Sequence, residues 1–533
     1  MTFSRRDFIK AAGAAFGSAA VLPTWVYQAY GLDVRLAEVN KDALAEAALS
    51  TAKKLGASYA DIRINRYRLE SVNTRERQVL NVSSGQNFGF GVRVLVNGTW
   101  GFAASPIVTA DEVVRVTTEA AAIAKANSAI TRRRIELVPT PKASAKWKSS
   151  FEKDPFEIPS EDKIAILLKI NEAALGVKGV SFVNSSLSFV NEQKYLATSD
   201  GSRIEQYIIR TNPSFSATAV DRSSGDFQAV NSLRGAQQIG FEYMSKHDWA
   251  AEAKTAAEHA VMKLKAPSVK PGKYDLVLHP SHLFLTIHES VGHPTELDRA
   301  MLWEANYAGT SFLTPDKTGK LQFGSKIVNF VADRTQPAGL ATVAYDDEGV
   351  PGQSWNIVKD GLFVDWQTTR DTAKLIGRSK SYGCLHADSW SSVPFPRMPN
   401  LSLQPAKENV SMDDLVGGVD SGILIYGRGS YSIDQQRYNF QFGGQTFWSI
   451  EKGKVTGMLR DVAYQSRTTD FWGACDGLGG QATYELPGSP NDGKGEPGQS
   501  NAVSHGCPVA RFRQINVLNT ASDTGTDLME DHE

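Results

Sequence analysis

The clearest chemical signal in the sequence is the hexapeptide His-Glu-Ser-Val-Gly-His at residues 288–293. Two imidazoles that flank a glutamate are typical of zinc hydrolases, in which the histidines bind the metal and the glutamate acts as a base. In the usual zinc-peptidase pattern the histidines lie four residues apart on one helix face, whereas His288 and His293 are five residues apart. The pattern alone therefore leaves open a second interpretation, two ordinary histidines at a buried helix end.

The spacing of the two histidines makes a geometric demand on the backbone. Five residues of regular α-helix rotate by about 500°, which leaves the two side chains about 140° apart around the axis. Both imidazoles reach one ion only if the segment bulges or unwinds by one residue. A π-bulge aligns residues i and i+5, Gly292 offers a place for it, and Pro294 prevents a regular continuation of the helix. The sequence thus predicts a distorted helix end.

The elements that position this segment follow from hydrophobic periodicity. Helical patterns occur at 38–56, 109–126, 164–175, 248–264 and 281–297. Alternating patterns typical of strands occur at 60–67, 88–96, 180–190 and 203–216, and Asn97-Gly98 is a hairpin-turn signal. After residue 273, short strands and glycine-rich turns dominate. The prediction is an α+β fold, with an N-terminal α/β region followed by a mostly-β C-terminal domain that carries the metal-binding helix.

Composition and the position of proline-containing segments suggest the domain organisation. Proline-containing stretches at 139–159 and 265–272 separate three units. The predicted segments are a signal peptide at 1–30, an N-terminal α/β domain at 31–140, a middle α/β segment at 141–267, a β-rich C-terminal domain at 268–522 and an acidic tail at 523–533. The 533 residues are 41% hydrophobic and carry a formal charge of −1. This balance argues against a nucleic-acid-binding protein, which would show basic excess.

The first residues are similar to a bacterial twin-arginine export signal. Arg5 and Arg6 are adjacent, Phe8 follows, and Lys10 precedes an apolar run at 11–22. This run is shorter than the about 20 residues that a membrane-spanning helix needs. We therefore expect a protein exported by the twin-arginine route, periplasmic in location, without an integral membrane span in the mature chain.

The extended motif His-Glu-Ser-Val-Gly-His-x-x-Glu-x-Asp resembles that of the TldD/PmbA family of metallopeptidases, in particular its TldD branch, which keeps the metal motif. Other blocks resemble the family in the same order; they lie at 59–62, 89–93, 346–353, 397–400, 442–445 and 473–481. The resemblance covers nearly all of 35–520. The twin-arginine segment, Pro294 and the stretch at 487–504 depart from the family pattern.

The resemblance implies a zinc ion bound by His288, His293 and Cys475, with a water in the fourth position and Glu289 as its general base. The other two cysteines of the chain have no counterpart among the ligands that the family resemblance implies. Cys507 with His505 is therefore interpreted as incidental, and Cys384 with His386 as structural. His279 and His282 are expected to cap or pack.

Three further charged residues near the motif carry two interpretations each. Glu296 and Asp298 either orient the imidazoles from behind or are ordinary helix-end charges. Arg397 either contacts substrate or is structural.

The resemblance implies a zinc-dependent peptidase that acts on unfolded or modified peptides as a homodimer, or as a heterodimer with a homologous subunit. One alternative is a non-catalytic periplasmic peptide-binding or assembly partner, with structural zinc or none. Another is a zinc hydrolase with a different substrate. The intact Glu289 favours an enzyme, because a structural zinc site is normally closed by four ligands and needs no base.

Overall fold

The structure is a computed structural model that describes residues 39–307 and 309–521. The predicted signal peptide and acidic tail lie outside the described residues. The α-helices are α1 Lys41–Lys54, α2 Ala110–Ser128, α3 Ser160–Leu175, α4 Trp249–Lys265, α5 Pro280–Ile287, α6 Leu297–Ala300, α7 Arg370–Leu375, α8 Met412–Gly417 and α9 Thr468–Gly473.

The strands of the N-terminal half are β1 Tyr59–Arg75, β2 Gln78–Val96, β3 Thr99–Ser105, β4 Ser144–Lys148, β5 Val180–Thr198, β6 Arg203–Val220 and β7 Phe227–Asn231. Those of the C-terminal half are β8 Gly272–Leu278, β9 Phe330–Asp333, β10 Ser354–Lys359, β11 Leu362–Phe363, β12 Leu385–His386, β13 Phe395–Pro396, β14 Asn400–Leu403, β15 Ser421–Tyr426, β16 Tyr431–Ile433, β17 Asn439–Gly443, β18 Thr446–Glu451, β19 Lys454–Leu459, β20 Val462–Arg467, β21 Cys475–Leu478, β22 Gly488–Lys494, β23 Gln499–Ser504 and β24 Ala510–Asn519.

The N-terminal half forms one twisted sheet covered by helices on one face. Its strand order is β3-β2-β1-β5-β6-β4, with β7 also paired to β6. All pairs are antiparallel except β4 with β6. Helices α1 and α2 pack over β1–β3 through small buried residues such as Ala48 and Ala120, and α3 and α4 cover β5 and β6. The predicted turn at Asn97 and Gly98 joins β2 to β3, with φ of 52° and 72°.

The opposite face of this sheet is polar and buried against the C-terminal half. Lys194 Nζ on β5 lies 2.6 Å from Asp347 Oδ1, and both side chains are buried. Gln206 on β6 donates to the carbonyl oxygen of Tyr345 over 2.9 Å. The acidic turn that begins at residue 346 therefore fastens the two halves together, because a buried charge is tolerated only when it is paired.

The C-terminal half is built around a large mixed sheet. Its order is β16-β17-β20-β24-β8-β15-β18-β19, and β21 pairs with β24. A second sheet, β11-β10-β9-β14, and the β22–β23 hairpin complete the domain. The fold is α+β, as predicted. Among the described residues, no helix combines the length and apolarity needed to cross a membrane.

Helix α5 emerges from the central strand β8 and runs through the core. His279 caps it by accepting a hydrogen bond from the amide of Ser281, and Pro280 occupies its first turn, where the missing amide hydrogen costs nothing. Every residue of α5 is buried, which is what a helix that is apolar all round requires. The α-helix ends at Ile287, earlier than the predicted residue 297, because the next turn has a different geometry.

His282 is fixed as a neutral imidazole in this core. Its Nδ1 donates to the carbonyl oxygen of Gly427 over 2.9 Å, and its Nε2 therefore accepts from the hydroxyl of Tyr464, also over 2.9 Å. His279 caps the helix and His282 packs inside it, as expected for both. Burial lowers the pKa of His282 to about 4.

We expect this histidine to make the fold sensitive to acid. In the unfolded chain a histidine titrates near 6.5, so between that value and the folded pKa only the unfolded chain takes up the proton. The contribution of the neutral His282 to the free energy of unfolding is therefore fully present above pH 6.5. The free energy of unfolding should fall by about 3 kcal/mol on acidification to pH 4. Urea denaturation at several pH values measures this loss. A His282→Gln variant, which does not titrate, should lose less, and an identical pH dependence in both proteins would contradict the assignment.

Candidate metal centre

The segment after α5 forms the distorted turn that the histidine spacing predicts. His288–Gly292 is a π-helical turn, and the amide of His293 donates to the carbonyl oxygen of His288. Gly292 lies where a Cβ atom would come within 2.4 Å of the sulfur of Met398, so a larger residue would force that side chain away. The two imidazoles consequently face each other, with ring centroids 4.6 Å apart.

Three buried side chains converge at this turn. His288, His293 and Asp492 each offer one ligand atom, and these atoms all lie within 4.8 Å of one another. Asp492 Oδ1 is 3.4 Å from His288 Nε2 and 3.5 Å from His293 Nε2. Two imidazoles and one carboxylate, brought together in this way, form a candidate site for a divalent metal ion.

Hydrogen bonds set the tautomer of His288. Its Nδ1 lies 2.8 Å from His505 Nε2, and His505 Nδ1 lies 3.0 Å from the carbonyl oxygen of Leu401. Because a carbonyl only accepts, His505 carries its proton on Nδ1 and accepts from His288 through Nε2. Burial lowers the pKa of His505 to about 3, which keeps it neutral. The neutral form of His288 therefore carries its proton on Nδ1, and its Nε2 lies on the side of Asp492.

A carboxylate orients the second histidine. His293 Nδ1 lies 2.9 Å from Glu296 Oε2, which also accepts from Arg299 Nε over 2.5 Å. Burial, with the charge of Arg299, lowers the pKa of His293 well below its ordinary value. For His288, burial acts in the same direction, but the charge and hydrogen bond of Asp492, together with the charges of Glu289 and Glu296, outweigh it and raise the pKa. Both rings thus present Nε2 to the centre and are held from behind, as metal-binding histidines usually are.

A buried arginine holds Asp492 in place. Arg397 donates to Asp492 Oδ2 over 3.0 Å and also to its main-chain oxygen. Burial raises the pKa of Asp492, but His293, His288 and Arg397 outweigh it, and the pKa stays well below its usual range. Arg397 therefore leaves Oδ1 of an ionised carboxylate to face the two histidines. Of its two predicted alternatives, substrate contact or a structural role, the structure shows the structural one.

The hairpin β22–β23 brings Asp492 to the site, and a fully buried lysine anchors it. Lys494 Nζ lies 3.0 Å from Glu296 Oε1, 2.8 Å from Asp298 Oδ2 and 2.8 Å from the carbonyl oxygen of Pro396. Glu296 thus links His293 to the hairpin, whereas Asp298 reaches the site only through Lys494. Both residues belong to the support of the centre and are not ordinary helix-end charges.

Glu289 lies between the two histidines in sequence and is buried beside them. Arg437 Nη1 donates to Glu289 Oε2. Tyr431 is close enough that the charge of Glu289, followed by burial, raises the pKa of the phenol. A carboxylate and a guanidinium therefore lie beside the candidate ligands without belonging to them.

The structure does not bring Cys475 into this group. Its side chain lies in the hydrophobic core on β21, with Sγ 4.0 Å from the carbonyl oxygen of Gly477. Burial raises the pKa of this thiol. Among the described residues it is Asp492, not Cys475, that lies with His288 and His293. The structure therefore contradicts the predicted position of Cys475 and brings the two histidines together as predicted.

Two further interpretations change with the tertiary structure. His505, predicted to be incidental, orients His288. Asp492 lies in the stretch 487–504 that the motif analysis set aside as a departure from the family. The useful signal would have been Asp492 and Lys494 themselves, which with Glu496 are the charged residues of a segment otherwise rich in glycine and proline. Cys384 and Cys507 are buried free thiols.

Sequence relatives of the chain are described as metalloproteases. A metalloprotease of Methanocaldococcus jannaschii is 27% identical over 418 residues, covering 78% of this chain and 88% of the relative. A zinc metalloprotease TldD homolog of Saccharolobus solfataricus is 24% identical, covering 88% of this chain and 98% of the relative.

Solved structures share the fold. TldE from Thermococcus kodakarensis superposes with a TM-score of 0.68 at 18% identity, covering 89% of this chain and 99% of that chain. A protein of Thermotoga maritima described as a putative modulator of a DNA gyrase gives 0.71 at 16% identity, covering 90% of this chain and 100% of that chain.

Family models cover most of the sequence. Those described as PmbA/TldA metallopeptidase domain 1, central domain and C-terminal domain match residues 60–124, 153–264 and 271–519. The first two matches fall on the N-terminal half and its sheet, and the third falls on the C-terminal half. These matches confirm the resemblance seen in the motifs: the chain belongs to the PmbA/TldA metallopeptidase family.

Proposed function

We propose that this metallopeptidase hydrolyses peptide bonds in unfolded or modified peptides, using a zinc ion held by His288, His293 and Asp492. The observation that carries the proposal is the convergence of these three ligand atoms beside Glu289. The donor set fits zinc, because two imidazoles and a carboxylate are its ligands in several hydrolases. The relative from Saccharolobus solfataricus is also described as a zinc metalloprotease.

Each protein group has a distinct part in the proposed reaction. When bound, zinc supplies positive charge that acidifies a water molecule and polarises the peptide carbonyl. Glu289 takes the proton of the attacking water and passes it to the leaving amine nitrogen. Three protein ligands leave one coordination position open, as catalytic but not structural zinc sites do, which favours an enzyme over a non-catalytic binding partner.

The test of the proposal is the Glu289→Gln variant on a library of unfolded peptides. We expect cleavage to fall by about 10²–10⁴-fold, the usual contribution of a general base, with zinc content unchanged because Glu289 is not a ligand. Glu46→Gln, on the exposed surface of α1, is the matched control and should cleave normally. Undiminished cleavage by the Glu289 variant would remove this residue from its role, and loss of zinc would make it a ligand instead.

We further propose that the peptidase works as a homodimer or with a homologous subunit, and that the twin-arginine segment directs its export. The structural relation to TldE supports a homologous partner, and Arg5 with Arg6 supports the export route. Export of a folded chain would allow zinc to be loaded before transport.

A further inference from the structure

The hairpin of β16 and β17 forms one side of the metal centre. Arg437 lies in the loop that joins the two strands, with φ of 63°. Its amide donates to the carbonyl oxygen of Asp434 over 3.0 Å, and its own carbonyl oxygen accepts from Thr468 Oγ1 over 2.8 Å. The main chain on either side of the Arg437 side chain is therefore fixed by hydrogen bonds.

A neighbouring segment braces the same loop from outside. The amides of Thr310 and Phe312 donate to the carbonyl oxygens of Gln435 and Gln436, each over 2.8 Å. These bonds tie the loop to the chain that follows the metal-binding turn. A guanidinium on such a loop is held in advance of any ligand, which is what a preorganised electrostatic site requires.

The exposure of the side chains shows from which side a substrate can approach. His288, His293 and Asp492 side chains are at most 8% exposed, and Glu289 is 5% exposed. Arg437 is 15% exposed and Tyr431 is 53% exposed. Arg437 is thus more accessible to an approaching peptide than Glu289 and the three candidate ligands are.

Arg437 and Tyr431 are both hydrogen-bond donors at neutral pH, which suits an oxygen that gains negative charge. Burial lowers the pKa of Arg437 and the charge of Glu289 opposes this, and a guanidinium remains charged at neutral pH. A phenol such as Tyr431 titrates near 10, and the charge of Glu289 raises its pKa further. A guanidinium and a phenol both donate hydrogen bonds to an anionic oxygen. Neither side chain is a candidate metal ligand.

We propose that Arg437 binds the carbonyl oxygen of the scissile peptide bond and stabilises the negative charge that develops there. In the addition step the water oxygen bonds to the carbonyl carbon, the carbonyl electron pair moves onto the oxygen at Arg437, and the water proton goes to Glu289. The carbonyl then re-forms, the carbon–nitrogen bond breaks, and the proton goes from Glu289 to the amine. This inference rests on the proposed peptidase function.

The competing explanation is that Arg437 only holds Glu289 in position. The two roles differ in what a transition-state analogue would detect, because an analogue carries the tetrahedral anion itself whereas a substrate does not. A peptide phosphonate, with phosphorus in place of the scissile carbonyl carbon, is therefore the probe. In a Glu289→Gln background, a residue that acts only through Glu289 can no longer affect binding of this probe, whereas a residue that contacts the anion still can.

The experiment compares wild type with Arg437→Gln and Arg437→Lys on the zinc-loaded full chain. For Arg437→Gln we expect kcat/KM to fall by about 10²–10³-fold, as after loss of an oxyanion donor, with KM nearly unchanged and phosphonate affinity reduced in parallel. Arg437→Lys should recover part of both losses, since lysine keeps the charge but not the planar fork. Arg467→Gln, on the neighbouring strand and exposed, should behave as wild type.

Each outcome decides between the roles. If Arg437→Gln weakens phosphonate binding in the Glu289→Gln background, the direct role is supported. If that effect disappears, or if Arg437→Gln leaves kcat unchanged, the proposal is overturned while the peptidase function stands. A wild-type protein that cleaves no peptide would overturn both. Zinc content and circular dichroism of each variant exclude losses that come from a damaged site or fold.

Discussion

Replacing Asp492 by alanine should abolish zinc binding and peptide cleavage together. The variant removes the only carboxylate in the group of three converging ligands that the described residues form, and two imidazoles alone leave zinc with too few protein ligands for a catalytic site. We expect zinc affinity to fall by more than the about 10–100-fold that follows loss of a supporting residue, and cleavage to fall to background. Metal analysis after dialysis and a competition assay with a chromogenic chelator measure the affinity.

Two matched variants separate this ligand role from other effects. Asp492→Asn keeps the shape of the side chain and its contact with Arg397 but loses the charge, so it should retain the fold and bind zinc weakly. Cys475→Ser should keep wild-type zinc content, because the thiol lies in the core on β21 with no ionised form at neutral pH. Loss of zinc from the cysteine variant together with normal zinc in the asparagine variant would restore the ligand set expected from family resemblance.

Replacing Lys494 by methionine should lower the free energy of unfolding more than the other proposed substitutions do. The ammonium group is completely buried and contacts two buried carboxylates, Glu296 and Asp298. Removing one partner of a buried ionic group leaves uncompensated charge and costs about 3–5 kcal/mol. Urea denaturation measures this loss as a lower midpoint. We also expect weaker zinc binding, because Lys494 fixes the hairpin two residues after Asp492 and contacts the carboxylate that orients His293.

A second substitution tests whether unpaired charge is the cause. Burial already raises the pKa of Asp298 despite Lys494, so Asp298→Asn should be tolerated better once the lysine is gone. The double variant Lys494→Met with Asp298→Asn should therefore regain part of the stability that the single variant loses. A loss below about 1 kcal/mol for Lys494→Met lies in the range of an exposed ion pair. Such a small loss would show that the buried carboxylates of Glu296 and Asp298 do not need the charge of Lys494.

Much of the fold was readable from periodicity because local patterns control local structure. The pattern at 38–56 gives α1 at Lys41–Lys54, and that at 248–264 gives α4 at Trp249–Lys265. The strand predictions fall within the observed strands, but the strands run further; the prediction 180–190 lies inside Val180–Thr198. The hydrophobic pattern did not predict the full length of β5. The later residues of this strand point polar side chains, such as Lys194, into a buried interface and do not alternate between core and solvent.

The order of strands within the sheets was beyond local analysis. The predicted linker at 139–159 contains β4, which pairs in parallel with β6 about sixty positions later in the chain. Likewise β8, which leads into the metal-binding helix, is central only because β15 and β24 flank it. Such pairings depend on contacts between distant segments, and no short window of sequence records them.

The sequence alone predicted a distorted helix end at His288 and His293, because an i, i+5 pair followed by proline is incompatible with a regular helix and compatible with a π-turn. It left open whether the two histidines share one metal site. The π-turn at this position confirms the predicted distortion. Asp492, the arginine that contacts Glu289 and the histidine behind His288 come from segments about 150 to 220 residues away. They are joined to the motif by hydrogen bonds and ion pairs across a buried interface, and only the folded arrangement of the hairpins brings those partners within reach.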